Sequence, residues 1–175
     1  MTARTVLQQA DIARALTRIS HEILESNRGS SNLVLLGIPT RGVILAQRIA
    51  AVLNDIEPNS AVAGSLDVTM YRDDLAKQPT RVSSPTQIPE GGIDGKTVVL
   101  VDDVLYSGRT IRAALDAIND IGRPRAVRLA ALVDRGHREL PIRADFVGKN
   151  LPSSTEERIN VRLDEIDGAD EVTIE

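Results

Sequence analysis

Apolar side chains recur at helical spacing in three segments of the chain. In residues 9–27, Ile12, Leu16, Ile19 and Ile23 fall on one stripe, and Arg28-Gly29 marks the end of the helix. The same spacing recurs in residues 42–54 and 109–121. The pattern therefore predicts three amphipathic helices.

Short unbroken apolar runs alternate with these helices. Residues 32–38, 97–101 and 126–133 are typical of strands that are buried on both faces. The order strand, helix, strand, helix, strand predicts an α/β fold, with a parallel sheet flanked by helices and right-handed crossovers.

The other segments carry weaker patterns. Residues 65–71 alternate between apolar and polar, which predicts a half-exposed strand. Residues 71–90 lack sustained periodicity, and aperiodic stretches of that length are usually functional or disordered, so we predict a flexible lid. An irregular hood is expected at residues 134–155, and residues 160–163 and 172–174 suggest small edge strands. No linker divides the chain, so we expect a single domain over residues 1–175.

Composition excludes several classes of protein. The sequence contains no cysteine, which rules out disulfide scaffolds, thiolate zinc sites and cysteine nucleophiles. No apolar run approaches the roughly 20 residues that span a bilayer, and the N-terminus is polar, so we expect a cytoplasmic protein.

Charge and aromatic content bear on nucleic-acid binding. Only three of the 21 basic residues are lysines, and arginine suits bidentate phosphate recognition, although a genome-level preference for arginine is an equal alternative. Residues 156–175 carry a local charge of −6, which leaves +2 for residues 1–155. Three aromatic side chains are too few for base stacking along a strand, so any contact with nucleic acid would run through arginine.

A strand ending in two acids precedes a short polar turn at the start of a predicted helix. Residues 98–110 read VVLVDDVLYSGRT, and Asp102 and Asp103 stand at the carboxyl end of the strand, where parallel α/β sheets bind ligands. The turn offers backbone N–H groups at a helix N-terminus, a phosphate site, and Gly108 allows close approach. Adjacent carboxylates cannot both be buried without compensation, so they need hydroxyl donors, a cation or water, and a ribose diol beside a phosphate would supply the donors. The alternative is an exposed strand end followed by an ordinary helix cap.

Residues 98–110 resemble the signature motif of type I phosphoribosyltransferases, which binds phosphoribosyl pyrophosphate (PRPP). Residues 37–42 (GIPTRG), 71–75 (YRDDL) and 133–145 (VDRGHRELPIRAD) are similar to the bifunctional family of pyrimidine-operon regulators and uracil phosphoribosyltransferases. This similarity extends over essentially the whole chain. It implies the type I phosphoribosyltransferase fold and transfer of ribose 5-phosphate from PRPP to uracil, giving UMP and pyrophosphate, with Mg²⁺ bound through PRPP.

The resemblance also implies roles for individual residues. Asp102 and Asp103 would hold the ribose hydroxyls, residues 105–110 would cradle the 5′-phosphate, and Arg41 in the pyrophosphate loop 38–42 would meet the leaving group. These three side chains, Asp102, Asp103 and Arg41, are the predicted catalytic residues. The predicted substrate-binding residues are Thr40, Arg41, Asp102, Asp103, Val104, Leu105, Tyr106, Ser107, Gly108, Arg109, Thr110 and Arg135.

The resemblance leaves the general base and the protein ligands of Mg²⁺ unassigned, and it implies roles for the lid and the hood. Relatives that act on hypoxanthine or guanine carry an acid at the place of Tyr106, so no general base is assigned. Residues 71–81 would close over the site, and Arg135 in the hood would lie near the nucleotide. No protein ligand is assigned to Mg²⁺.

One face of the first predicted helix is polar and largely basic, and a solvated helix face is the alternative interpretation. The resemblance implies a basic surface that binds pyr mRNA, to which arginines of the hood would contribute. The predicted RNA-binding residues are Arg14, Thr17, Arg18, His21, Arg138 and Arg143.

Three functions remain open from the sequence. The first is a uracil phosphoribosyltransferase whose site also senses UMP and controls RNA binding. The others are an enzyme without RNA binding and an RNA-binding UMP sensor with vestigial activity. We expect a homodimer or larger homo-oligomer.

Overall fold

The computed structural model describes residues 2–73 and 85–175 and contains a five-stranded parallel sheet. Its strand order is β3-β2-β4-β5-β6, and β4 and β5 at the centre share the longest register, from Thr97↔Ala126 to Leu105↔Asp134. The strands of this sheet are β2 (Leu33–Gly37), β3 (Val62–Ser65), β4 (Thr97–Leu105), β5 (Ala126–Asp134) and β6 (Phe146–Asn150). The predicted fold class is confirmed.

Helices cover both faces of this sheet. Helices α1 (Gln9–Asn27) and α2 (Arg41–Ile56) pack on the face that carries Leu35 and Val99. Helix α3 (Arg109–Asn119) packs on the opposite face. Because successive strand residues point to opposite faces, a strand covered on both sides must be apolar throughout, which explains the unbroken runs. In the part of the chain that the structure describes, no helix is both long and apolar enough to span a membrane.

A second, antiparallel sheet joins the two ends of the chain. Its order is β1-β8-β7, formed by Arg4–Leu7, Glu171–Ile174 and Ile159–Arg162, and the short helix α4 (Asp164–Asp167) connects the last two. Both predicted strands are present, and β7 lies at an edge as expected, but the prediction of an edge strand at residues 172–174 is wrong because β8 pairs with β1 on one side and β7 on the other. The sequence analysis missed β1.

The predicted strand over residues 65–71 is wrong. Strand β3 ends at Ser65, and residues 69–71 form one turn of 3-10 helix. The Asp67 carboxylate accepts hydrogen bonds from the backbone N–H and the hydroxyl of Thr69, at 3.0 and 2.7 Å, and so stabilises the turn. Leu66 and Val68 are buried against α3, which produced the alternating pattern without a strand.

Two other boundaries also differ. The hood is not irregular throughout, because it contains β6, which pairs in parallel with β5. At Gly148 a Cβ would lie 2.4 Å from the Leu132 carbonyl oxygen, so glycine permits this close pairing. Of the predicted lid, residues 74–84 lie outside the described residues, and Gln87 forms a bridge with Ser65.

Candidate active site

Two adjacent carboxylates lie on β4 at the carboxyl end of the parallel sheet. The strand continues through them to Leu105 rather than ending at Val101, and Asp102 is paired with Ala131 of β5. The Asp102 Oδ1 atom accepts from the Asp103 N–H at 2.9 Å, and the Asp103 Oδ1 atom accepts from the Val104 N–H at 2.8 Å. Each side chain is thus held by the backbone that follows it.

The Asp102 side chain is buried, with 8% of the residue exposed. Burial, and then the negative charge of Asp103, raise the pKa of the Asp102 carboxyl well above its ordinary value, while the positive charge of Arg72 acts in the opposite direction. A buried carboxylate in this position favours a ligand that brings hydroxyl donors or positive charge.

The turn after β4 forms an open cradle at the start of α3. Gly108 has a φ of 93°, in the left-handed region that favours glycine, and its carbonyl accepts from the Arg112 N–H at 3.0 Å to begin the helix. The Ser107 hydroxyl accepts from the Arg109 N–H at 3.3 Å, and the Arg72 guanidinium donates to the Thr110 hydroxyl at 3.2 Å. The predicted phosphate-binding residues therefore meet at one helix N-terminus.

Arg72 is a candidate site residue that the sequence analysis missed. It lies in the YRDDL segment, but no apolar period or motif spacing showed that it reaches Thr110 and influences Asp102. The neighbouring Asp73 forms an ion pair with Arg109 at 2.5 Å, and Arg109 also pairs with Glu139 at 3.1 Å. Arg109 is therefore shared between the predicted lid and the hood.

The loop between β2 and α2 lies against the two carboxylates. The Ile38 N–H donates to the Val101 carbonyl at 2.9 Å, and a Cβ at Gly42 would lie 2.4 Å from that same oxygen. The loop contains a cis peptide bond between Pro39 and Thr40, and Thr40 is the N-cap residue of α2. Residues 38–42 and the Asp102 backbone are thereby brought into contact.

Arg41 is engaged by an acid that the sequence analysis did not identify. Its Nη2 and Nε atoms donate to the two carboxylate oxygens of Asp167 in α4, at 2.8 and 3.2 Å. This bidentate contact lowers the pKa of Asp167. The contact joins the predicted pyrophosphate loop to α4, the helix that connects two strands of the second sheet, and no local pattern links two residues that are so far apart in sequence.

Arg135 is buried in the hood rather than exposed toward a ligand. Its Nη2 atom donates to the carbonyls of Ser154 and Glu157, both at 2.8 Å, and its guanidinium carbon lies 4.3 Å from the centre of the Tyr106 ring. The ring of His137 meets the Tyr106 ring edge-on, with centroids 6.0 Å apart. Among the described residues the buried Arg135 Nε has no hydrogen-bond partner. Arg135 thus connects the backbone of Ser154 and Glu157 to Tyr106, which lies in the predicted phosphate-binding turn.

A cavity of about 900 Å³ opens beside this cluster. Two segments line it, residues 134–143 and residues 150–153, at the carboxyl ends of β5 and β6. Arg138 and Arg143 lie in its wall. In residues 2–73 and 85–175, no three histidine, aspartate or glutamate side chains cluster as ligands for a metal ion.

The basic stripe of α1 is exposed, but its arginines have protein partners. Arg14 pairs with Asp11 at 2.6 Å. Arg18 pairs with Glu22 at 3.0 Å and also donates to the carbonyls of Val147 and Gly148 on the edge strand β6. The stripe therefore lies beside β6.

The other predicted RNA-binding residues differ in their surroundings. Thr17 and His21 are exposed on the same helix, and the Thr17 hydroxyl donates to the Ala13 carbonyl at 3.0 Å. Arg143 is exposed and makes no hydrogen bond or ion pair within the described residues. Arg138, by contrast, is bonded to protein groups through Nε, Nη1 and Nη2.

Comparison with known proteins gives one family model and many close relatives. Residues 2–165 match the model of the phosphoribosyl transferase domain. The chain is 72% identical to the bifunctional protein PyrR of Leifsonia xyli, over 100% of this chain and 98% of that protein. It is 65% identical to the bifunctional protein PyrR of Streptomyces coelicolor, over 98% of this chain and 89% of that protein.

Solved structures agree in fold. The hypoxanthine phosphoribosyltransferase of Trypanosoma cruzi superposes with a TM-score of 0.74 at 16% identity, covering 98% of this chain and 95% of that one. The enzyme of the same name from Staphylococcus aureus has a TM-score of 0.67 at 16% identity, over 86% and 79% of the two chains. At this identity the likeness shows the fold alone.

Proposed function

The chain belongs to the phosphoribosyltransferase family and, within it, to the bifunctional PyrR proteins, and from this premise we propose that it is a uracil phosphoribosyltransferase that also binds RNA. The reaction converts uracil and PRPP into UMP and pyrophosphate. The observation that carries the proposal is that two carboxylates, Asp102 and Asp103, lie at the end of the strand that leads into the turn at the N-terminus of α3.

The ribose 5-phosphate moiety matches these groups. The carboxylates of Asp102 and Asp103 accept hydrogen bonds from the 2′- and 3′-hydroxyls, which bring the donors that a buried charge requires. The turn 105–110 receives the 5′-phosphate on backbone N–H groups and on the hydroxyls of Ser107 and Thr110. Both contacts fix the position of C1′, and orientation alone supplies about 7–11 kcal/mol of a barrier.

The leaving pyrophosphate lies toward the loop 38–42. At C1′ the bond to the pyrophosphate oxygen breaks with its electron pair going to oxygen, and the bond to N1 of uracil forms. The N1 proton is released to solvent. Arg41 stabilises the departing charge, while Asp167 holds its guanidinium at the loop. When bound with PRPP, Mg²⁺ would further neutralise the charge of the pyrophosphate.

The uracil ring belongs beside Val104 and Tyr106, beneath the hood. Tyr106 provides no carboxylate for the base, so we assign no general base, and positioning and leaving-group stabilisation drive the transfer. Arg135 contributes indirectly, by holding Tyr106 and the hood carbonyls that it binds in place.

The substrate is tested by incubating the protein with PRPP, Mg²⁺ and radiolabelled bases. We expect UMP from uracil and no nucleotide from hypoxanthine or guanine. Transfer to a purine base in preference to uracil would contradict the assignment, and so would a failure of uracil to react.

RNA binding rests on the exposed stripe of α1 and on Arg143. Arg14 and Arg143 are both exposed, although Arg14 pairs with Asp11, whereas Arg18 is held at the β6 edge, where its charge has a fixed position. Phosphate contacts carry the salt dependence of affinity, and Thr17 and His21 are expected to contribute hydrogen bonds.

The RNA is the transcript of the pyrimidine genes, and its binding is measured against salt with and without UMP. Arg14→Gln and Arg143→Gln should each lower the salt slope by about 0.7–0.9. Thr17→Ala should weaken binding with little change of slope. Absence of RNA binding with full uracil transfer would leave an enzyme only, and UMP-dependent RNA binding without transfer would leave a sensor only.

A further inference from the structure

We propose that Arg138 is a positioning residue of the phosphate-binding turn, which holds the turn's backbone N–H groups toward PRPP and UMP; this inference rests on the proposed function and deepens it. Arg138 lies in the hood, on the segment 138–142 that runs behind the turn.

The Arg138 guanidinium joins three parts of the chain. Its Nη1 atom donates to the Tyr106 carbonyl at 2.9 Å, its Nε atom to the Ile142 carbonyl at 2.7 Å, and its Nη2 atom to the Asp134 carboxylate at 2.6 Å. Asp134 ends β5 and also accepts from the Gly136 N–H at 3.0 Å. One side chain therefore connects a strand end, the turn and the hood segment.

The contact with Tyr106 fixes the direction of the next peptide group. In a trans peptide the C=O and the following N–H point in opposite directions. Because the Tyr106 carbonyl faces Arg138, the Ser107 N–H faces away from the hood segment. The neighbouring peptide behaves alike, because the Ser107 carbonyl accepts from the N–H groups of Glu139 and Leu140, at 2.9 and 3.2 Å.

Two donors are left for a ligand by this arrangement. Neither the Ser107 N–H nor the Gly108 N–H has an acceptor among the described residues. Both precede the N-terminus of α3, where an anion is favoured by the helix dipole. Phosphate oxygens are the acceptors that such paired donors select.

The hood segment also presses against the turn from behind. A Cβ at Gly108 would lie 3.3 Å from the Ile142 Cβ and 3.6 Å from the Leu140 Cβ. Arg138 binds the Ile142 carbonyl, so it holds this apolar wall as well as the Tyr106 carbonyl. Since its three kinds of nitrogen are already used by protein acceptors, we expect its influence on RNA to be indirect.

The test compares Arg138→Gln and Arg138→Lys with Arg112→Gln as a control. Arg112 is exposed on α3, and its side chain makes no hydrogen bond within the described residues. The control therefore removes the same charge near the turn and leaves the contacts of Arg138 in place. For each protein the KM values for PRPP and uracil, kcat and the melting temperature are measured, together with UMP affinity by calorimetry.

We expect Arg138→Gln to raise the KM for PRPP and the Kd for UMP about 10-fold, with the KM for uracil changed less than about twofold. Arg138→Lys should be intermediate, because an ammonium can reach only part of the three acceptors. Arg112→Gln should resemble the wild type.

Several outcomes overturn the inference. These are unchanged PRPP and UMP values in folded Arg138→Gln, an equal rise in the uracil KM, or an equal loss in the control. If Arg138→Gln does not fold, Arg138→Lys decides by the same criteria. If the wild type transfers nothing to uracil, the proposed function fails, while UMP calorimetry still tests whether Arg138 positions the turn.

Discussion

Replacement of Asp102 by asparagine should stabilise the ligand-free protein and impair its activity. Asparagine has the shape of aspartate, and its Oδ1 atom can still accept from the Asp103 N–H, which lies 2.9 Å away. The substitution therefore removes one buried charge and leaves the local hydrogen bond in place. Stability and activity report on that charge separately.

The raised pKa of Asp102 explains why the substitution should increase stability. The folded protein holds the proton more tightly than the unfolded chain, so stability falls as the pH rises from the ordinary value of 3.8 up to the folded pKa. At pH 7 asparagine relieves this cost, and for a chain of this size each kcal/mol raises the melting temperature by about 2–4 °C. We expect a rise of at least about 2 °C that shrinks as the pH is lowered.

Activity should move the other way. In the proposed site the Asp102 carboxylate accepts a charge-assisted hydrogen bond from a ribose hydroxyl that is worth about 1.5–3 kcal/mol, so we expect kcat/KM for PRPP to fall about 10- to 100-fold. Thermal unfolding between pH 5 and pH 8 and uracil transfer are measured on the same preparation. Asp103→Asn is the matched control, because Asp103 is only half-buried, and it should lose activity with a smaller gain in melting temperature. A lower melting temperature at pH 7, or wild-type activity, would refute the reasoning.

Two other substitutions probe the loop and the second sheet. Gly42→Ala places a Cβ 2.4 Å from the Val101 carbonyl oxygen and must displace the proposed pyrophosphate loop, so kcat/KM should fall at least about 10-fold with a stability loss of about 1–3 kcal/mol. Steady-state kinetics and urea unfolding measure the two effects, and wild-type kinetics would contradict the role given to this loop. Arg48→Gln leaves Glu165 and Asp170 without their cation and should lower the free energy of unfolding by roughly 1–3 kcal/mol at neutral pH. Because Arg48 lowers the pKa of both acids, this loss of stability should disappear as the pH falls through their folded pKa values. A stability loss that does not depend on pH would contradict this assignment.

The central sheet and its helices could be predicted because their signals are local. Helix α1 has the predicted bounds, and α2 extends the predicted 42–54 only slightly, to Arg41–Ile56. Each stripe or run lies within a single segment, and burial on one or both faces dictates its period. Strand β4 is longer than the predicted strand 97–101, because its pairing with β5 continues past Asp102 to Leu105.

The second sheet could not be predicted in the same way, because its contacts are distant in sequence. Strand β1 has four residues, and its register with β8 pairs Arg4 with Ile174. The contact between Arg41 and Asp167 likewise joins a loop to a helix near the other end of the chain. Four-residue strands and single ion pairs produce no periodic pattern of apolar residues in the sequence, so only the folded structure shows them.

Counting charges therefore overstates the number of arginines that can bind phosphate. The acids near the C-terminus pair with arginines: Asp167 with Arg41, Asp170 with Arg48, and Glu171 with Arg162. In the hood, Arg135 and Arg138 bind carbonyls and a carboxylate of the chain itself.

At the predicted 5′-phosphate turn the open donors include backbone N–H groups rather than these arginines. Those of Ser107 and Gly108 have no acceptor within the described residues, and their direction is fixed by carbonyls that the hood holds from behind. An arginine can thus serve phosphate binding without touching phosphate, by setting the orientation of a peptide group that does. Which arginines act in this way depends on the acceptors that surround them, and neither composition nor net charge carries that information.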